Sequence, residues 1–130
     1  MAKKILVVEN SATRSLLSLE ASNYELLEAD SASQGLSEAL DQRPHLILID
    51  TELPDLSGFE LCKRMRGYSE LKKIPIIIFS TDNKLKNMVT AYEMGADYYI
   101  VKGDEGDRVL TLLIETIITR LSRRSVSASV

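Results

Sequence analysis

Five polar residues stand directly behind apolar runs in the 130-residue chain. Glu9 and Asn10 follow Ile5-Leu6-Val7-Val8, Asp50 follows Leu46-Ile47-Leu48-Ile49, Ser80 follows Ile76-Ile77-Ile78-Phe79, and Lys102 follows Tyr98-Tyr99-Ile100-Val101. A carboxylate presented at a strand tip can act as a nucleophile toward phosphorus. Phosphoryl transfer asks the protein mainly for position and for positive charge around the equatorial oxygens. Asp50 is the candidate nucleophile. Glu9, Asn10 and Asp50 offer hard oxygen ligands of the kind Mg²⁺ takes, Lys102 brings a cation, and Ser80 brings a hydroxyl. Each has a plainer use when taken singly. Asp50 can cap the next turn, Ser80-Thr81-Asp82-Asn83 resembles a helix N-cap, Lys102 can be a solvated strand end, and Glu9 with Asn10 can form a turn. Agreement among four strand tips is what favours a site.

Those tips belong to five expected strands, Lys4 to Val8, Tyr24 to Ala29, His45 to Ile49, Ile74 to Phe79 and Tyr98 to Val101. Helical spacing fills the gaps: Leu36, Ala39 and Leu40; Phe59, Cys62 and Met65; Leu85, Met88, Val89 and Tyr92. Near-continuous Ile, Leu and Val in the first, third and fourth strands marks strands covered on both faces, whereas Glu25 and Glu28 place the second at an edge. Strict alternation of strand and helix predicts a doubly wound α/β fold, a (βα)5 parallel sheet with helices on both faces. In such a sheet ligands bind beyond the carboxyl ends of the strands, where the order reverses. Pro44 and Pro75 mark strand entrances, Gly58 opens a helix and Gly95 closes one. A first helix is expected over about Ala12 to Ala21. The final helix, expected over about Asp107 to Arg124, is more apolar than one sheet contact requires, so its outer face is expected to meet a partner. The domain is taken as 1–124, with 125–130 a tail or the start of a linker.

Composition narrows the function. Hydrophobic residues make up 45% and charged residues 27%, as in an ordinary globular domain. With 16 Lys+Arg against 19 Asp+Glu, the net charge of −3 argues against direct contact with nucleic acid. No apolar run approaches membrane-spanning length, and with the single Cys62 the chain reads as cytoplasmic. Cys62 and Met65 read as core, His45 lacks metal-ligand companions, and Arg123-Arg124 read as charges suited to a helix C-terminus.

From about Lys3 to Leu121 the chain resembles the receiver domains of two-component response regulators. The resemblance rests on Ile5-Leu6-Val7-Val8-Glu9-Asn10, Leu46-Ile47-Leu48-Ile49-Asp50, Leu53-Pro54-Asp55, Ser57-Gly58-Phe59-Glu60-Leu61, Ile76-Ile77-Ile78-Phe79-Ser80 and Gly95-Ala96-Asp97-Tyr98-Tyr99-Ile100-Val101-Lys102. It implies a flavodoxin-like five-stranded parallel sheet of order 2-1-3-4-5, and that Asp50 accepts a phosphoryl group from a histidine kinase or phosphotransfer protein. It further implies that Glu9, Asn10, Asp50 and the backbone carbonyl of Glu52 hold Mg²⁺, and that Lys102 pairs with the phosphoryl group. Ser80 would then shift to hydrogen-bond a phosphoryl oxygen while Tyr99 turns inward, reshaping the face of the fourth helix, fifth strand and fifth helix. As strand neighbours point to opposite sides, only one of Tyr98 and Tyr99 can be the inward switch, and spacing favours Tyr99.

Departures from the family pattern carry their own expectations. Asn10 stands where the family usually has Asp, which predicts weaker Mg²⁺ binding. Gly103 replaces a common proline, so the Lys102–Gly103 bond is expected to be trans and Lys102 less firmly aimed. Glu52 and Asp82 are expected to crowd the pocket mouth with negative charge. The alternative function is a phosphorylation-independent pseudo-receiver that binds a protein. An enzyme of the haloacid-dehalogenase type is disfavoured because no Asp stands two residues after Asp50, and a flavin site because no phosphate loop follows Val8. The expected output is through a downstream protein or fused output domain, and the apolar final helix suggests a homodimer.

Overall fold

The computed structural model describes residues 3–9 and 24–129. Five strands, β1 (Lys3–Val8), β2 (Tyr24–Ala29), β3 (Leu46–Ile49), β4 (Ile76–Ser80) and β5 (Tyr98–Val101), form one parallel sheet in the order β2-β1-β3-β4-β5. The described helices are α1 (Ala32–Gln42), α2 (Gly58–Arg66), α3 (Leu85–Glu93) and α4 (Asp104–Ser129). The first expected helix lies outside the described residues, so α3 and α4 are the fourth and fifth helices of the sequence reading. The expected strand order and the edge position of β2 both hold.

Strand alternation divides the core. Leu6, Val8, Ile47, Ile49, Ile76 and Ile78 pack toward Ala32 and Ala39 of α1, Leu61, Cys62 and Met65 of α2, and Ala91 of α3. Ile5, Val7, Leu46, Leu48, Ile77 and Phe79 pack toward Leu110, Ile114, Ile117 and Ile118 of α4. β1, β3 and β4 are central in the sheet and carry the buried runs because helices cover both faces. Among the described residues no helix is long and apolar enough to cross a membrane.

Three local expectations are revised. Leu85, Val89 and Tyr92 make an apolar stripe on α3, but it faces outward, with exposures of 75%, 51% and 51%. α4 starts at Asp104, not near Asp107, and continues to Ser129, not stopping near Arg124. Asp104, Glu105 and Asp107 in its first turn suit the positive end of the helix dipole. Ser80 is not a helix cap, because α3 begins only at Leu85, behind Lys84.

Candidate phosphoacceptor site

The sheet order reverses between β1 and β3, and the tips of these strands are stitched together by the Asp50 N–H donating to the Val8 carbonyl at 2.9 Å. Glu9 and Asp50 therefore emerge side by side. Gly58 lets the β3–α2 loop fold back over this edge: its N–H donates to the Thr51 carbonyl at 3.0 Å, and a Cβ there would collide with the Asp50 carbonyl. The loop is tied down again by Asp55, whose two carboxylate oxygens accept from the Ala32 and Ser33 N–H groups at 2.8 and 2.9 Å. These bonds hold the Asp55 carboxyl below its ordinary pKa. With Ser31 Oγ capping Gln34 N, they satisfy the first turn of α1.

Lys102 crosses from the end of β5 to this point. Its Nζ lies 2.7 Å from Asp50 Oδ2 and 4.0 Å from Glu9 Oε2. The ammonium lies over the Phe79 ring, 5.5 Å from its centroid, and the Lys102 N–H donates to the Ser80 carbonyl at 2.8 Å. There is no cis peptide bond among the described residues, as expected for Gly103, whose φ of 147° suits glycine. Without the proline, Lys102 still reaches Asp50. The other oxygen of Asp50, Oδ1, accepts from the Glu52 N–H at 3.2 Å. Asp50 thus caps the turn that follows it, as its plainer reading has it, and still presents Oδ2 to Lys102.

Ser80 Oγ is buried and lies 2.6 Å from Thr51 Oγ1, and it accepts from the Asp82 N–H at 3.1 Å. Asp82 turns its carboxylate to the Lys84 N–H at 2.9 Å and to the Asn87 amide, which lowers its pKa. It serves the start of α3 and stays a carboxylate beside the pocket mouth. Tyr99 packs with the α1–α3 core while Tyr98 packs on the α4 side, as strand alternation required. The Tyr99 hydroxyl donates to the Asp82 carbonyl at 2.7 Å, and burial raises its pKa.

Of the site residues read from sequence, the structure brings together Glu9, Asp50, Ser80 and Lys102, with Tyr99 linked through Asp82; Asn10 lies outside the described residues. Glu9 and Asp50 give two carboxylates at one point, the number Mg²⁺ ordinarily takes alongside water and neutral oxygens. No group of three acidic, His or Cys side chains suited to a metal occurs among the described residues. These two carboxylates are donors of the kind Mg²⁺ takes.

Sequence reasoning missed Thr51, Asp55 and Arg66. Arg66 donates from Nε to the Gly95 carbonyl at 2.9 Å and from Nη1 to the Leu71 and Ile74 carbonyls at 2.8 and 2.9 Å. Its Nη2 donates to Asp97 Oδ2 at 2.7 Å. Asp97 Oδ2 also accepts from the Ile76 N–H at 2.8 Å, so this cluster sets the entrances of β4 and β5, whose far ends carry Ser80 and Lys102. Cys62 is core, with burial pushing its thiol up to about 11. His45 is structural, its Nδ1 accepting from the Lys4 N–H at 3.0 Å.

Residues 5–114 match the family model of the response regulator receiver domain. The chain is 35% identical to transcriptional regulatory protein AfsQ1 of Streptomyces coelicolor over 131 residues, covering 99% of this chain and 56% of that protein. It is 37% identical to the phosphate regulon transcriptional regulatory protein PhoB of Pseudomonas aeruginosa over 105 residues, covering 78% of this chain and 46% of that one. The chain spans about half the length of these relatives. Among solved structures, the signal receiver domain of a signal transduction histidine kinase from Syntrophus aciditrophicus is similar, with a TM-score of 0.82, 28% identity and 94% of each chain covered.

Proposed function

The chain belongs to the response-regulator receiver family, and from that premise we propose that Asp50 takes a phosphoryl group from the phosphohistidine of a histidine kinase or phosphotransfer protein. The observation that carries this reading is the convergence of Asp50, Glu9 and Lys102 at the point where the sheet order reverses. One Asp50 oxygen attacks phosphorus as the P–N bond breaks. The imidazole nitrogen keeps the bonding pair and takes up a proton, leaving an acyl phosphate on Asp50. Water later attacks phosphorus, the P–O bond to Asp50 breaks, and the carboxylate returns as inorganic phosphate departs.

Lys102 loses one oxygen of its Asp50 partner to the new bond and pairs with the phosphoryl group, within reach because its ammonium already lies 2.7 Å from Asp50 Oδ2. Glu9, Asn10, Asp50 and the Glu52 carbonyl would hold a Mg²⁺ ion, which would supply positive charge to the phosphoryl oxygens. Ser80 moves to donate to one of those oxygens. Its Asp82 contact is shared with the Tyr99 hydroxyl, which supports transmission of the change to α3, β5 and α4. The domain acts on its own phosphoryl group and signals through contacts, with 1–124 as the receiver unit.

The output surface of this reading is the face of α3, β5 and α4. Leu85, Val89 and Tyr92 on α3 and Val109 and Leu112 on α4 are exposed apolar side chains. Such a patch is suited to a partner, and we assign it to a second copy of the chain or to an output domain or downstream protein. Sedimentation with and without phosphodonor tests the homodimer: phosphorylation shifts the chain to a dimer, and a monomer in both conditions removes it. The phosphoacceptor itself is located by borohydride reduction after phosphorylation, which converts an acyl phosphate to a homoserine. Conversion at Asp50 is expected; conversion elsewhere contradicts the assignment.

A further inference from the structure

We propose that the Thr51 hydroxyl is a positioning group for the switch, holding the Ser80 hydroxyl in its resting place so that Ser80 must abandon it to reach a phosphoryl oxygen. The proposal rests on reading Asp50 as the phosphoacceptor and Ser80 as the hydroxyl that follows its phosphorylation.

Thr51 and Ser80 are the buried polar residues among the described part of the chain, with 8% and 2% exposure, and their hydroxyl oxygens face each other at 2.6 Å between β3 and β4. Each hydroxyl brings one hydrogen and two lone pairs. Ser80 Oγ also accepts from the Asp82 N–H, and no buried side-chain polar atom of the described residues lacks a partner. Thr51 cannot readily follow a departing Ser80. Its carbonyl accepts from the Gly58 N–H at 3.0 Å, its neighbour Asp50 is tied to Val8, and a β-branched side chain turns stiffly about its first torsion.

When Ser80 leaves, the Thr51 hydroxyl is stranded in a dry site, a cost that opposes the phosphorylated state. Removing that hydroxyl acts twice in the same direction: the resting Ser80 loses its partner, and the activated state strands nothing. The release also reaches Tyr99, because Asp82 is bonded both to Ser80 Oγ and to the Tyr99 hydroxyl.

The test measures affinity for beryllofluoride, a phosphoryl analogue, in excess Mg²⁺, following the backbone amide signals of Ser80 and Tyr99 by NMR. Thr51→Val keeps the shape and removes the hydroxyl; it is expected to bind about 2- to 10-fold more tightly than wild type, the size of one neutral hydrogen bond. Thr51→Ser retains a hydroxyl and is expected to return toward wild-type affinity, which a purely packing role for Thr51 would not produce. Thr51→Ala serves if the valine variant does not fold. Equal or weaker binding by a folded hydroxyl-free variant overturns the proposal, as does a serine variant as tight as the valine one. Failure of wild type to bind beryllofluoride at all overturns the phosphoacceptor reading, and this proposal with it.

Discussion

Lys102 and Asp50, 52 positions apart in sequence, meet at 2.7 Å with 19% and 14% of their side chains exposed. Glu9 shares the ammonium at 4.0 Å, so one cation faces two carboxylates at the reversal point of the sheet. Adding a phosphoryl group brings more negative charge to the same place, and Lys102 is already there to meet it.

Lys102→Ala removes that cation. Charge-assisted hydrogen bonds contribute about 1.5–3 kcal/mol, so phosphorylation of Asp50 by acetyl phosphate is expected to fall by about 10- to 100-fold. Intact-mass time courses measure this, with circular dichroism checking the fold. An unchanged rate in a folded variant contradicts the pairing role.

Arg66 governs the opposite end of β4 and β5. Arg66→Ala leaves the Gly95, Leu71 and Ile74 carbonyls and the Asp97 carboxylate without their guanidinium. A loss of about 2–4 kcal/mol in urea unfolding is expected, the range for several bonds to a charged group that do not add fully. Arg66→Lys recovers little, because an ammonium cannot span the fork. A loss below about 0.5 kcal/mol, the scale of ordinary surface substitutions, contradicts the account.

His45 gives the fold a mild acid sensitivity. Burial, with the charges of Lys3 and Lys4, holds its pKa below the ordinary 6.5, and its Nδ1 must be unprotonated to accept from Lys4 N–H. On acidification the unfolded chain takes up this proton first. The His45 contribution is therefore intact above pH 6.5 and lost progressively as the pH falls below it, until the folded imidazole titrates. The stability slope between about pH 7 and pH 5 is expected to flatten in His45→Gln. Parallel slopes for the two proteins contradict this.

On the proposed ligand set, Asn10→Asp adds a third carboxylate to Glu9 and Asp50, so Mg²⁺ is expected to bind more tightly to the variant than to wild type in a direct titration. Equal affinities contradict the role assigned to Asn10.

The sheet and the strand-tip residues were legible because they depend on local pattern. Apolar runs that end in Glu9, Asp50, Ser80 and Lys102 define both the strands and their exposed ends, and the alternation of strands with helices points to a parallel sheet covered on both faces, while its strand order followed from the family resemblance. Long-range hydrogen bonding left no such pattern. Arg66 looks in sequence like any basic residue near a helix end, and its carbonyl partners at Leu71, Ile74 and Gly95 carry no signature in side-chain type. Asp55 lies in the quoted motif, but its service to α1 depends on a loop folding back across Gly58. The α3 stripe shows the limit of periodicity, which groups Leu85, Val89 and Tyr92 on one face without saying whether that face meets the core or solvent.

The phosphoacceptor claim is tested most directly by intact-mass measurement after incubation with acetyl phosphate and Mg²⁺. The account predicts that wild type gains the mass of one phosphoryl group, that Asp50→Asn gains none, and that the added mass disappears on standing as water removes it. A wild type that stays at its original mass in excess donor and Mg²⁺, or an Asp50→Asn variant that gains the same mass, would contradict it.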